Sequence, residues 1–118
     1  MKKMQYLILS LAVIFMLAQA NMLAGEKKDI RKVEIKTSAQ CDMCKDRIEK
    51  ALNKLDGVDK AILDLKTKKV EVTYDSKEIS VDKIKKSISK TGYDAENLAA
   101  DKKAYDKLPK CCKKPAGE

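Results

Sequence analysis

The sequence predicts an α+β domain in which two helices cover one face of a four-stranded antiparallel sheet. Short segments alternate polar and apolar residues, as strands with one buried face do, and longer segments place apolar residues three and four positions apart, as amphipathic helices do. These segments follow one another in the order β-α-β-β-α-β. With 118 residues, of which 44% are apolar and 37% charged, the chain has room for one such domain with a charged surface.

The first strand and the first helix are predicted over residues 32–36 and 43–55. Val33 and Ile35 alternate with charged residues, so they lie on one face of the strand. Gly57 follows the helical segment and ends it, because glycine readily adopts the left-handed conformation in which helices close. The apolar stripe of this helix consists of Ile48, Leu52 and Leu55.

Two strands, a second helix and a last strand follow. Residues 58–65 and 69–74 alternate with a period of two, and the short lysine-rich segment between them turns the chain back. Ser80 is a favourable N-cap for the second helix, and Gly92 is a favourable stop. Residues 93–99 are predicted as the fourth strand. This order of elements is the split βαβ arrangement of ferredoxin-like domains, which places both helices on the same face of the sheet.

Residues 1–20 are predicted to be an export signal. Two lysines precede an apolar run over residues 6–18, and Ala18-Gln19-Ala20 matches the A-x-A cleavage pattern. The run has 13 residues, fewer than the roughly 20 that span a bilayer as a helix. Cleavage is expected after residue 20 or residue 24, leaving a linker that extends to residue 31. The expected location is the periplasm or another extracytoplasmic compartment, and membrane contact is expected only if the signal stays uncleaved as an anchor.

The charge and the absence of histidine narrow the classes of function. The net charge is +8, but the charges are interspersed along the chain, which favours a solvated lysine-rich surface over nucleic-acid binding. Docking onto an acidic partner is the alternative. Because the chain contains no histidine, it lacks the most common general base and the most common zinc ligand. Hydrolases and zinc enzymes are therefore poorly supported, and no enzymatic activity is predicted.

Cys41 and Cys44 are the candidate metal ligands. The predicted elements place Cys41 in a loop and Cys44 in the first turn of a helix, where the free N–H groups and the helix dipole favour a thiolate. Thiolates are soft ligands that suit Cu(I), zinc and, by the same argument, Hg(II) and Cd(II). Two sulfurs can hold a linear two-coordinate ion, whereas tetrahedral zinc would need two more donors.

Three functions compete for this pair. A structural disulfide suits an exported protein, but a bridge across so short a loop removes little unfolded-state entropy. A redox pair would make the protein a small thiol-disulfide oxidoreductase. Such sites usually have an aromatic residue before the first cysteine and a cis-proline nearby, whereas Gln40 precedes Cys41 and both prolines, Pro109 and Pro115, lie near the C-terminus. Metal binding is the function that we favour.

Residues 32–99 resemble a heavy-metal-associated domain, the module of copper chaperones, of the N-terminal regions of metal-pumping ATPases and of the periplasmic mercury-binding protein. The resemblance rests on the C-x-x-C pair and the helix after it, on the helix exit Leu55-Asp56-Gly57-Val58, and on Gly92-Tyr93-Asp94-Ala95. It implies that Cys41 and Cys44 bind one soft ion, with Cu(I) or Hg(II) ahead of Zn(II) or Cd(II). It also implies transfer by ligand exchange to a metal-transporting membrane protein or another Cys-pair carrier, and a monomer is expected.

The resemblance bears on two further residues. It places Tyr93 near the metal as an outer-shell residue, although a half-buried core tyrosine is the alternative. The family usually has methionine two positions before the first cysteine, where this chain has Ala39. Since that methionine packs under the loop, we expect its absence to affect the rigidity of the loop more than the capacity of the loop to bind a metal.

Residues 100–118 form a charged tail that contains Cys111 and Cys112 and is too short to be a domain. An extended chain from Leu98 to Cys111 would span about 40 Å, enough to reach the first cysteine pair. Cys111 and Cys112 are therefore possible additional metal or redox residues. They could supply extra ligands for a three- or four-sulfur site, form a separate capture site, or make a disulfide within or between chains. Four sulfurs would favour zinc or cadmium.

Overall fold

The structure is a computed structural model that describes residues 27–114. Its strands are β1 (Ile30–Lys36), β2 (Val58–Asp64) and β3 (Lys69–Asp75), and its helices are α1 (Asp42–Asn53), α2 (Val81–Thr91) and α3 (Lys102–Asp106), followed by a short 3-10 helix, Lys110–Cys112. The predicted export signal lies outside the described residues. Within residues 27–114, every helix is too short or too polar to cross a membrane.

The sheet is antiparallel with β3 in the middle, in the order β1-β3-β2. Val70 of β3 pairs with Ile35 on one side and with Leu63 on the other, so one face of the sheet is continuously apolar. The other face is open, and Ile62 is 47% exposed there. Helices α1 and α2 cover the apolar face with four fully buried side chains, each contributing about 1.5–3 kcal/mol of hydrophobic stabilisation: Ile48, Leu52, Ile84 and Ile88. The predicted α+β ferredoxin-like class is confirmed.

The predicted fourth strand over residues 93–99 is wrong. Ala95 makes a single bridge to Thr37, and its N–H and carbonyl then pair with Leu98. Glu96 has a left-handed φ of 52°, which turns the chain back within these four residues. Because this tight turn satisfies its own backbone groups, the segment contributes one bridge instead of a strand. The sheet in the described part of the chain therefore has three strands.

The segment after this turn folds back onto the domain. The Ser89 hydroxyl donates to the Ala99 carbonyl (2.7 Å), and the Asp101 N–H donates to the Ser89 carbonyl (2.9 Å). Asp101 also caps α3 by accepting a hydrogen bond from the Ala104 N–H. Further on, Leu108 and Cys112 are buried in the core. The chain is thus anchored at several points between the end of α2 and the second cysteine pair.

Candidate metal site

The start of α1 positions the first cysteine pair. Cys41 is the N-cap of α1, with extended backbone, and is partly buried, whereas Cys44 lies in the first turn and is fully buried. Their Sγ atoms are 3.3 Å apart. The Cys41 side chain makes no capping hydrogen bond, and its sulfur lies against the other thiols.

The loop before Cys41 is held by its own polar side chains. Thr37 Oγ1 donates to the Lys68 carbonyl (2.9 Å) and accepts from the Ala39 N–H (3.2 Å). Ser38 Oγ accepts from the Asp94 N–H (2.9 Å), which ties the loop to the segment after α2. Ala39 itself is fully buried in the core. The loop therefore has polar anchors at both Thr37 and Ser38, although Ala39 stands where the resemblance implies a methionine.

The 3-10 helix brings the second cysteine pair to the first. Cys41 Sγ lies 3.3 Å from Cys111 Sγ and 3.6 Å from Cys112 Sγ, and the last two sulfurs are 3.9 Å apart. Cys112 is only 1% exposed, while Cys111 lies at the surface. Cys41, Cys111 and Cys112 form a group that could hold a metal ion. The four cysteines that the sequence singled out thus lie around Cys41: Cys111 and Cys112 form one group with it, and Cys44 contacts it from the other pair.

Sequence reasoning missed Met43 as a neighbour of this cluster. Its side chain is 48% exposed, but its Sδ atom lies 3.7 Å from Cys111 Sγ. No local signal indicates this contact, because it depends on where a cysteine 68 residues away is placed.

The environment makes Cys41 the most acidic of the four thiols. Burial disfavours its thiolate, but the hydrogen bond from the Cys44 N–H and the contacts with the other three thiols outweigh that effect and lower its pKa to about 7. For Cys44, burial and then the neighbouring Cys112 raise the pKa to about 11. The pKa of Cys112 is raised mainly by burial, and that of Cys111 mainly by its contact with Cys41. The metal-free cluster therefore carries its first negative charge on Cys41.

Tyr93, predicted as an outer-shell residue, is fully buried beside the cluster. Burial first, and then the neighbouring thiols of Cys112 and Cys44, raise the pKa of its hydroxyl well above the usual range, so the group stays protonated. Within residues 27–114 no group meets the geometry of a hydrogen bond with this hydroxyl, although the Cys112 and Cys44 thiols lie close enough to raise its pKa. A buried donor without an acceptor is unfavourable, and it would gain an acceptor if a neighbouring thiol became a thiolate.

The sequence comparisons point to metal-binding proteins. Residues 35–94 match the family model described as heavy-metal-associated domain. A copper-exporting P-type ATPase of Staphylococcus saprophyticus is 46% identical over 56 residues, which are 48% of this chain and 7% of the ATPase. The copper-exporting P-type ATPase of Staphylococcus aureus strain Newman is 46% identical over 59 residues, 50% of this chain and 7% of that protein. The chain thus spans about 7% of the length of these curated relatives.

Solved structures show the same fold. A CopZ metallochaperone is 33% identical with a TM-score of 0.54, covering 55% of this chain and 98% of the chaperone. Oxidised MerP from Ralstonia metallidurans CH34 is 28% identical with a TM-score of 0.56, covering 58% of this chain and 96% of MerP. Cys41, Cys44 and Tyr93 lie inside the family match, whereas Cys111 and Cys112 lie beyond its end at residue 94.

Proposed function

The chain belongs to the heavy-metal-associated domain family, and we propose that it binds one soft metal ion through Cys41 and Cys44 for sequestration or transfer. The observation that carries this proposal is the pair of sulfurs 3.3 Å apart at the start of α1, one of them on the most acidic thiol of the cluster. A low pKa favours the thiolate, which is the form of cysteine that binds metals. On this proposal the protein is a carrier and not an enzyme.

Cu(I) and Hg(II) are the leading ions, with Zn(II) and Cd(II) behind them. Thiolates select soft ions, and the first pair offers two sulfurs without any histidine. Cu(I) is further favoured because the relatives that are 46% identical are copper-exporting ATPases. A metal-transporting membrane protein or another carrier with a cysteine pair is the corresponding partner. Because the proposed export signal precedes the domain, we place this activity outside the cytoplasm.

The two cysteines have unequal parts in ion exchange. Cys41 is partly exposed, so an incoming thiolate can reach the metal on its side, whereas Cys44 is shielded by the core. Binding must remove a proton from Cys44, whose pKa of about 11 keeps it a thiol in the metal-free protein. Loading therefore releases protons, and the buried Tyr93 hydroxyl can donate to the thiolate that forms.

Anaerobic titration of the reduced full chain with Cu(I), and separately with Hg(II), tests this proposal. Cys111→Ser/Cys112→Ser isolates the first pair and is expected to retain one ion per chain in native mass spectrometry at micromolar concentration. The matched variant Cys41→Ser/Cys44→Ser is expected to retain none. If the variant with an intact first pair retains no soft ion, or if both variants bind equally, the proposal is wrong.

Thiol-disulfide exchange is the second candidate, favoured by the lowered pKa of Cys41 next to a second thiol. Reduction of insulin by dithiothreitol, followed by turbidity with and without the metal-free protein as catalyst, distinguishes thiol-disulfide exchange from metal binding. Turnover that requires both Cys41 and Cys44 would establish the oxidoreductase, whereas the carrier proposal expects no turnover above that of free dithiothreitol.

A further inference from the structure

We infer that the C-terminal segment adds ligands to the metal site, so that at least three thiolates hold the ion: Cys41 with Cys111 and Cys112, and Cys44 as the fourth sulfur beside Cys41. This inference rests on the proposed function and extends it, because the family match ends before the second cysteine pair. Cys41 is the sulfur common to both pairs, since it lies within 3.6 Å of each of the other three.

The C-terminal segment that contains Cys111 and Cys112 packs against the domain and forms polar contacts with it. Leu108 is 6% exposed and packs against Gly92, the residue that closes α2. The Lys114 N–H donates to the Tyr105 hydroxyl (3.0 Å), and the Lys114 side chain forms an ion pair with Asp94. These contacts lie on both sides of the cysteines in the sequence. They therefore hold the two thiols at the site before any metal arrives.

The three sulfurs have the spacing that a three-coordinate ion needs. They form a triangle with sides of 3.3, 3.6 and 3.9 Å. The point equidistant from its corners lies about 2.1 Å from each sulfur, close to a metal–thiolate bond of about 2.3 Å. An ion slightly above the plane of the sulfurs would reach all three at bonding distance, with little movement of the protein.

The first pair alone fits a linear ion less well. Two sulfurs on opposite sides of one ion stand about 4.6 Å apart, twice a bond of about 2.3 Å. Cys41 and Cys44 are 3.3 Å apart, so linear binding requires them to separate by about 1.3 Å, and Cys44 is packed in the core. The geometry of the metal-free protein thus favours a higher coordination number than two.

The charges near the second pair suit a thiolate-rich site. Three thiolates around Cu(I) carry a net charge of −2, and around Hg(II) a net charge of −1. Lys110 precedes the cysteines in the sequence and Lys113 and Lys114 follow them, although the Lys114 side chain is already paired with Asp94. Nearby positive charge stabilises thiolates and lowers the cost of collecting them at one place.

X-ray absorption of the reduced full chain loaded with one equivalent of Cu(I) tests the inference. Three or more sulfurs at about 2.3 Å are expected. Cys111→Ser is the informative variant because this side chain is exposed, so the Tm of the metal-free protein should not change. It should lower the sulfur count by one and weaken Cu(I) binding at least about tenfold, the lower end of what even an outer-shell partner contributes.

Met43→Leu is the matched control, since it removes the other sulfur near Cys111 while conserving volume. It should leave the sulfur count and the affinity unchanged. Two sulfurs in the wild type, or a count that Met43→Leu lowers and Cys111→Ser does not, would overturn the inference while the carrier proposal stands. If the wild type and Cys111→Ser/Cys112→Ser retain no ion at all, both proposals fail.

Discussion

Replacing Tyr93 by phenylalanine is expected to stabilise the metal-free protein and to weaken metal binding. The hydroxyl is fully buried and, in the part of the chain that the structure describes, has no hydrogen-bond partner. An unsatisfied buried polar group costs about 1–3 kcal/mol, so its removal should stabilise the reduced metal-free protein by about 1 kcal/mol. For a domain of this size that corresponds to a rise in Tm of about 4–8 °C.

In the loaded protein the sign reverses. Metal binding converts neighbouring thiols into thiolates, and a hydrogen bond to a charged acceptor is worth about 1.5–3 kcal/mol. The substitution removes that bond from the loaded protein but not from the metal-free protein. It should therefore weaken metal binding about tenfold or more, since 1.4 kcal/mol is a factor of ten. The same substitution thus moves stability and affinity in opposite directions.

Two measurements on the same reduced sample check this prediction: urea unfolding without metal, and competition for Cu(I) against a chromophoric chelator. Tyr74→Phe is the control, because Tyr74 lies on β3 at the end of the sheet away from the loop that Thr37 ties to Lys68. It should leave the affinity for Cu(I) unchanged. A metal-free Tyr93→Phe protein that loses more than about 1 kcal/mol would mean that the hydroxyl has a partner, and would refute the reasoning.

Two further predictions follow from the thiols and from the glycine that closes α2. In the reduced metal-free protein, the alkylation rate of Cys41 should rise through pH 7, because its lowered pKa makes it a thiolate above that pH, whereas that of Cys44 should rise only near pH 11. Peptide mass spectrometry measures both rates, and faster modification of Cys44 would contradict the assignment. Gly92→Ala should destabilise the fold by at least about 1–2 kcal/mol because φ is +107°, and should speed alkylation of Cys112 because the added methyl lies 3.1 Å from the backbone of α3. Gly57→Ala carries a similar backbone cost at φ +93°, and its added methyl meets Glu78 and Ile79 at 2.9 Å. Because this clash does not involve α3, Cys112 should stay protected, and equal exposure of Cys112 in both variants would refute a local effect on the tail.

The predictions from the sequence are confirmed for elements whose ends and faces are determined by residues close together in the chain. Ser80 does cap α2 by accepting from the Lys83 N–H, and Gly92 does close it with a left-handed φ. The alternating strands are present because one buried face selects a period of two wherever the sheet packs on helices. The prediction of a fourth strand is wrong because its conformation depends on contacts with a distant part of the chain. Nothing in its composition reveals that Glu96 turns the chain, which depends on the fit of this segment against the end of β1.

By itself, the sequence determined the fold class, the position of Cys41 and Cys44 at a helix start, and the softness of the proposed cargo. These follow from side-chain periodicity and thiol chemistry, which are local properties. Only the tertiary structure decided what the second pair does. Cys111 contacts Cys41, which is 70 residues away in the sequence, and Cys112 is buried because the segment from Ala99 to Lys114 is anchored on α2 through Ser89 and on Asp94. Such contacts depend on how elements pack in space, which spacing along the chain does not encode.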